Sequence, residues 1–284
     1  MNKKEIEVVL QRIEKWYKSL YEMVVYDKRT FNAEFGWTKD HISFEEKTSL
    51  SYKPIKEGEN WGEKWETAWF HLKSDIPKSF EGKTIATELD FSGEGLVFSP
   101  SGEIIQGVTN GAIWDPNYRR TRVLLDNRFI KNKKVELWVE AAANSLFGVN
   151  TEENPEFESP KRHGWFHAKV EKIRFGIYDE EIWKLYLDAR ILLGLVKKLE
   201  EHSVRRHRII QALNNSINVF KSSRENTKKA RECLQDQLSK PAASSDLTVS
   251  AIGHAHIDTG WLWPVKETVR KCARTFATQL DIIK

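Results

Sequence analysis

The chain lacks the features that mark secreted or membrane-spanning proteins. Its 284 residues contain two cysteines, Cys233 and Cys272, which are too few for a disulfide framework and fit a reducing compartment. The N-terminus is charged and amphipathic, unlike a secretory signal, and no apolar run approaches the roughly 18 residues that cross a bilayer. The sequence therefore predicts a cytoplasmic protein with no membrane partner.

A large excess of charge of one sign is also absent. The formal net charge is +4, and the chain is 30% charged and 40% hydrophobic, which is typical of soluble globular proteins. Basic residues are densest between positions 205 and 231, but acidic residues lie among them, as on the solvated face of a helix. The sequence thus favours no nucleic-acid partner, and it leaves a homo-oligomer open.

The spacing of apolar residues changes twice along the chain. It is helical between positions 6 and 20, has a period of two between 67 and 178, and is helical again from 179. Turn residues separate many short strands in the middle region, which is typical of an antiparallel sandwich and not of a parallel βαβ sheet. Small residues and a proline between 239 and 247 indicate a linker.

These changes divide the chain into five segments. They are an N-terminal helix with an irregular segment (1–60), an antiparallel β-sandwich (61–178), a helical segment (179–238), a linker (239–247) and a final strand and helix (248–284).

Three potential metal ligands follow the β-prone stretch 247–253. His254, His256 and Asp258 occupy alternate positions, so in a strand their side chains share one face. Two imidazoles and a carboxylate are donors that Zn²⁺ accepts. A lone histidine on a strand is more often structural, but three such groups buried without a metal would need several polar partners. The spacing alone favours a metal site and leaves the structural alternative open.

Two resemblances together cover most of the chain after residue 60. Residues 254–264 read HAHIDTGWLWP, and with residues 267–276 they closely resemble the opening of the catalytic domain of class II α-mannosidases, glycoside hydrolase family 38. The upstream β-region resembles the ancillary sandwich domain that precedes this domain in the cytosolic and bacterial branch. Four stretches carry that second resemblance: 61–62, 67–70, 89–97 and 106–107.

The resemblance implies a retaining, zinc-dependent α-mannosidase that hydrolyses terminal α-mannosides of mannose-containing oligosaccharides. It implies that His256 and Asp258 are zinc ligands and that Trp261 lies against the bound sugar. His254 is not a ligand in the family pattern, so it is expected to support the ligands or the structure. The fold class expected is mixed α and β: an antiparallel β-sandwich flanked by helices, followed by the truncated start of an α/β barrel.

The family's nucleophile, acid/base and remaining zinc ligands come from sequence well downstream of this motif. Because the chain stops at Lys284 and such a barrel needs roughly 250 residues, no catalytic residue is expected within it. The chain alone is expected to be inactive and to bind Zn²⁺ weakly or not at all. The segment after Ser245 is expected to be disordered, or to pack on the sandwich or on another copy. Glu267, Arg270 and Arg274 are expected to be structural.

Two other classes of function remain open at this point. A metal-dependent amidohydrolase or deacetylase also uses His-x-His at the end of a first barrel strand. The sandwich is also compatible with a non-catalytic carbohydrate-binding or structural module, since fold does not decide function. In the carbohydrate-binding case, Trp61, Trp65, Trp69 and Trp114 are the candidates for a sugar platform.

Overall fold

The computed structural model describes residues 3–63, 65–111, 119–144, 167–241, 248–261 and 263–283. The chain forms two compact units. One comprises Met1–Tyr26 and Tyr178–Ala251, and the other comprises Asp27–Ile177 and Ile252–Lys284. None of the helices in the described ranges combines the length and apolar character of a membrane span.

The first unit is helical. Its helices are α1 (Lys3–Met23), α2 (Glu180–Lys198), α3 (Val204–Phe220) and α4 (Thr227–Leu238). Asp179 caps α2, because its Oδ1 accepts a hydrogen bond from the Ile182 N–H at 3.0 Å. Tyr17 of α1 stacks on Tyr186 of α2 with ring centroids 4.8 Å apart. Helix α1, assigned from the sequence to a separate segment 1–60, therefore packs with the helices that follow the sandwich.

The second unit is the antiparallel sandwich that the sequence predicts. Its strands are β1 (Val25–Thr30), β2 (Asn32–Thr38), β3 (Tyr52–Ile55), β4 (Asn60–Glu63), β5 (Thr67–Asp75), β6 (Ile85–Asp90), β7 (Glu94–Phe98), β8 (Ile104–Thr109), β9 (Leu124–Leu125), β10 (Ile130–Lys131), β11 (Lys134–Ala142), β12 (His167–Lys169) and β13 (Lys172–Tyr178).

These strands form a seven-stranded sheet, a four-stranded sheet and a two-stranded pair. The seven-stranded sheet has the order β3-β2-β5-β11-β7-β8 with β10 beside β11, and the four-stranded sheet has the order β1-β13-β6-β9. Strand β12 pairs with β4. The pairing is antiparallel, with Leu72 opposite Leu137 and Ile173 opposite Leu89. The fold class expected for this region is confirmed.

Successive side chains of β5 face opposite sides of the seven-stranded sheet, and both sides are buried. On the inner side, Phe70 contacts Phe91 with centroids 4.5 Å apart. On the outer side, Trp69 packs in a second apolar cluster with Leu96 and Phe98. A sandwich sheet usually exposes its outer face to water, so the two tryptophans there, Trp69 and Trp138, require a covering element.

Residues 30–60, predicted to be irregular, contain β2 and β3. Strand β3 has four residues with Pro54 inside it, which the edge position in the sheet tolerates. Such a short, proline-containing strand does not produce a recognisable period-two pattern.

The predicted strand over residues 247–253, the start of the expected barrel, is wrong for the part that is described. Residues 248–261 form neither strand nor helix, and they expose Val249 and Ile252 almost fully. A strand is stable only when neighbouring strands complete its hydrogen-bond ladder, and no described strand lies beside this stretch. Helix α5 follows at Val265–Ile283, so the expected helix is present.

Candidate functional site

The two predicted zinc ligands are adjacent in the loop before α5. His256 Nε2 lies 3.0 Å from Asp258 Oδ1, and their side chains are 70% and 43% exposed. The ring of His254 lies parallel to that of His256 to within 17°, with centroids 6.3 Å apart. The structure therefore brings His256 and Asp258 together and leaves both accessible from solvent.

This pair fits a zinc ion as part of a larger ligand set. Zinc bonds of about 2.0–2.1 Å in a tetrahedral site separate neighbouring donors by roughly 3.3 Å, close to the observed 3.0 Å. A single imidazole and a single carboxylate do not complete a site, and no cluster of three or more His, Cys, Asp or Glu side chains forms among the described residues. The pair alone would therefore be an incomplete zinc site.

Trp261 follows Asp258 by three residues and exposes part of its side chain. It is 48% exposed, and its ring meets the buried Trp263 edge to face at 5.9 Å. An exposed indole face is a suitable surface for the apolar side of a sugar ring.

The loop is fixed to the start of α5 by one hydroxyl group. Thr268 Oγ1 accepts hydrogen bonds from the Gly260 N–H at 3.2 Å and from Trp263 Nε1 at 3.0 Å. Gly260 has a φ of 72°, a left-handed conformation that glycine adopts without strain. The loop therefore turns sharply into α5 two residues after Asp258.

Helix α5 covers part of the outer face of the seven-stranded sheet, beside Phe44 and Tyr52, which contact Trp138. Ala273 and Ala277 pack against the Trp69 cluster, and Thr278 Oγ1 accepts a hydrogen bond from the Gly107 N–H of β8 at 3.1 Å. Of the outcomes expected for the segment after Ser245, packing on the sandwich is the one observed for α5. Residues 242–247 of the predicted linker lie outside the described ranges.

Three cations and three carboxylates meet between α5 and the sheet. They are Arg270, Lys271 and Arg274 of α5 with Glu267 of α5, Glu94 of β7 and Glu140 of β11. Glu267 is fully buried and pairs with both arginines. Arg270 Nη1 also lies 3.2 Å from Glu140 Oε1, and Arg274 Nη2 lies 3.1 Å from Glu94 Oε2. We call these six residues the ionic cluster.

Asn144 connects two of the three acidic members of the ionic cluster, Glu94 and Glu267. Its Nδ2 donates to Glu94 Oε2 at 2.5 Å and to Glu267 Oε1 at 3.2 Å, while its Oδ1 accepts from the Glu94 N–H at 3.0 Å. Burial by itself raises the pKa of Glu94, but the charges of Arg274 and Lys271 outweigh it and lower that pKa to about 2. The carboxylate is therefore ionised at neutral pH despite its partial burial.

Comparison with known proteins finds a family match for the sandwich and another for the segment that contains the loop and α5. Residues 30–184, more than half of the chain, match the family described as "Alpha-mannosidase, jelly roll domain". The chain belongs to the α-mannosidases. Residues 246–284 also match the N-terminal domain of glycosyl hydrolases family 38, so the His256–Asp258 loop and α5 lie in that segment.

Several curated relatives are α-mannosidases. "Alpha-mannosidase 2C1" of Homo sapiens is 28% identical over 87% of this chain, and "Alpha-mannosidase G" of Dictyostelium discoideum is 28% identical over 98% of it. "Alpha-mannosidase" of Saccharomyces cerevisiae is 27% identical over 94%. The chain spans 23% of the human relative and 26% of the Dictyostelium one, about a quarter of their length.

A likeness to a solved structure is too weak to support an inference. "Bacteroides uniformis beta-glucuronidase 2" aligns with 52% of this chain at 13% identity and a TM-score of 0.34.

Two of the four tryptophans considered for a separate sugar platform are buried in this α-mannosidase chain. Trp61 and Trp69 are buried, and Trp61 Nε1 donates to the Phe91 carbonyl at 3.0 Å. Trp65 is partly exposed, and Trp114 lies outside the described residues. The buried tryptophans pack the sandwich, as large aromatic side chains generally do.

Sequence reasoning found one side of the ionic cluster and missed the other. Glu267, Arg270 and Arg274, for which a structural role was expected, are buried and form ion pairs with one another. Their partners Glu94 and Glu140 were missed, although a signal existed. Glu140 alternates with Trp138 along β11, and a tryptophan on the polar face of a strand indicates that this face is covered.

Lowering the pH should weaken the ionic contacts between α5 and the sheet. Because the pKa of Glu94 falls from its ordinary 4.5 to about 2 in the folded α-mannosidase chain, its contribution to stability is fully present above pH 4.5 and is lost as the pH falls towards 2. The difference in the free energy of unfolding between the wild type and Glu94→Gln should therefore shrink across this range, in urea titrations at successive pH values. A difference that stays constant from pH 6 to pH 2.5 would contradict this account.

Proposed function

We propose that this chain is the N-terminal part of a zinc-dependent α-mannosidase that hydrolyses terminal α-mannosides of mannose-containing oligosaccharides. The observation that carries the proposal is the His256–Asp258 pair, 3.0 Å apart on an accessible loop, within the segment that matches the family 38 domain. We also propose a cytoplasmic location, because the two cysteines of the chain, Cys233 and Cys272, form no disulfide.

In this proposal His256 Nε2 and Asp258 Oδ1 bind the zinc ion, and Trp261 places the sugar beside it. Bound zinc would hold sugar hydroxyls next to the anomeric carbon and favour the distorted ring of an oxocarbenium-like transition state. The neutral imidazole of His256 and the ionised carboxylate of Asp258 are the forms that bind a metal. His254 would act by supporting the loop.

Retention at the anomeric carbon needs a carboxylate nucleophile and a carboxylic acid about 5–5.5 Å apart. We assign neither role to a residue of this chain. In this proposal the chain supplies two zinc ligands and one sugar contact. The nucleophile and the acid/base come from the remainder of the family 38 domain.

The test uses a protein in which this chain continues through a complete family 38 domain. It should hydrolyse an aryl α-mannoside, lose that activity after dialysis against a chelator and regain it when zinc is restored. The corresponding aryl β-mannoside is the control for linkage, and the 284-residue chain alone should be inactive. Activity that survives complete metal removal, or cleavage of an aryl amide in place of the mannoside, would refute the proposal and favour another class of hydrolase.

A further inference from the structure

A single lysine connects the loop that carries His256 and Asp258 to the sheet of the sandwich. Lys271 is buried, and its Nζ donates to Glu94 Oε2 at 2.7 Å. The same Nζ lies 4.5 Å from the ring centroid of Trp263, a cation–π distance. Lys271 thus contacts the first residue of β7 on one side and the buried ring that ends the loop on the other.

Trp263 is connected to the loop through Thr268. Its Nε1 donates to the same Thr268 oxygen that holds the Gly260 N–H. The order of contacts from sheet to loop is therefore Glu94, Lys271, Trp263, Thr268 and Gly260. The three middle residues of this series, Lys271, Trp263 and Thr268, are buried, whereas the stretch from 248 to 256 is exposed.

We propose that Lys271 and Trp263 are positioning residues for the metal loop, an inference that rests on the proposed function. An exposed loop without strand neighbours must lose conformational freedom when it binds an ion, and that loss weakens binding. The ring of Trp263 is held by its contacts with Thr268 and Lys271. These contacts reduce the conformational freedom of the loop near Asp258 before the ion binds. The jelly-roll domain thereby contributes to the metal site through Glu94 without supplying a ligand.

The structure provides a closely matched control for Lys271. Lys266 lies on the same helix and also forms an ion pair, to Asp40 at 2.6 Å, but both of its members are exposed. Lys271→Met keeps the aliphatic chain and removes the charge that faces Trp263 and Glu94. Lys266→Met removes the same charge five residues earlier, where the amine pairs with Asp40. Lys271→Arg keeps both the charge and the ring contact and serves as the rescuing variant.

The first measurement uses the 284-residue chain and needs no metal. Amide hydrogen exchange of Gly260 should be several-fold faster in Lys271→Met than in the wild type, and unchanged in Lys266→Met. Lys271→Arg should restore slow exchange. Equal exchange rates in all four proteins would overturn the inference, whatever the fate of the proposed function.

The second measurement uses the protein with a complete family 38 domain. Under conditions where each variant is folded by circular dichroism, Lys271→Met should bind zinc about 10-fold more weakly in competition with a chelator, the size of effect seen when groups that orient ligands are removed. Its kcat should fall with little change in KM. If Lys271→Met does not fold, Trp263→Phe replaces it, since it removes the Nε1 hydrogen bond and keeps an aromatic ring.

The outcomes separate the two ideas. Wild-type zinc affinity in Lys271→Met and Trp263→Phe, beside a wild type that depends on zinc, overturns the positioning role and leaves the proposed function standing. A wild type that never binds zinc refutes the proposed function. In that case the exchange rate of Gly260 still decides whether Lys271 orders the loop.

Discussion

Replacing Glu267 by alanine should lower the free energy of unfolding by about 3–5 kcal/mol, the range found when one partner of a buried ion pair is removed. Glu267 is fully buried and pairs with both Arg270 and Arg274. Its loss would leave two guanidinium groups inside the protein without their shared carboxylate. Urea unfolding monitored by tryptophan fluorescence measures the change.

Asp40→Asn is the control for this experiment. It breaks the exposed pair between Asp40 and Lys266 on the same helix, and exposed pairs contribute little to stability, so the unfolding curve should barely move. If Glu267→Ala were as stable as Asp40→Asn, the ionic cluster would not hold α5 on the sheet. Glu267→Gln should fall between the two, because it keeps the hydrogen bond from Asn144 while losing the charge.

Replacement of His256 or Asp258 by alanine should abolish zinc retention and mannosidase activity in a protein with a complete family 38 domain. Under the proposed function, each change removes one of the two zinc donors assigned to this chain, and a catalytic zinc site normally has three protein ligands. The expected loss of kcat is at least about 1000-fold, because the metal would no longer hold the sugar at the reacting carbon. Metal analysis after dialysis and initial rates on an aryl α-mannoside measure the two effects.

Alanine variants of two other histidines, His254 and His202, serve as controls for this experiment. His254→Ala should cost roughly 10-fold, as for a residue that supports ligands without binding the metal. His202→Ala, in the exposed turn between α2 and α3 of the helical unit, should change neither zinc content nor rate. A His254 variant that loses all of its zinc would mean that His254 is itself a ligand and that the family pattern does not transfer to this position.

Local periodicity was sufficient to predict most of the sandwich. Val135, Leu137 and Val139 alternate with polar or partly buried residues in Lys134–Ala142, which forms a central strand of the larger sheet. The helices after residue 179 were also predicted from their spacing. Each of these signals lies within a few neighbouring residues, which is the range over which a strand or helix determines its own pattern.

The contacts of α5 could not be predicted in the same way, because they join residues far apart in sequence. Glu94 and Lys271 are separated by 177 positions, and the sequence around either residue does not indicate that the other is its partner. The predicted strand before α5 failed for a related reason. Residues 248–253 have a composition suited to a strand, but composition cannot provide the neighbouring strands on which a ladder depends.

Helix α5, which packs on the outer face of the large sheet, follows every strand of that sheet in the chain and is therefore synthesised after them. The chain leaves the sandwich unit at Ile177 and returns to it at Ile252, so every strand emerges from the ribosome before α5. At 5–20 residues per second, Glu94 is synthesised many seconds before its partners Lys271 and Arg274, and the part of the Trp69 cluster that Ala273 and Ala277 contact stays open for that time. During translation this face is therefore a natural place for a chaperone to bind.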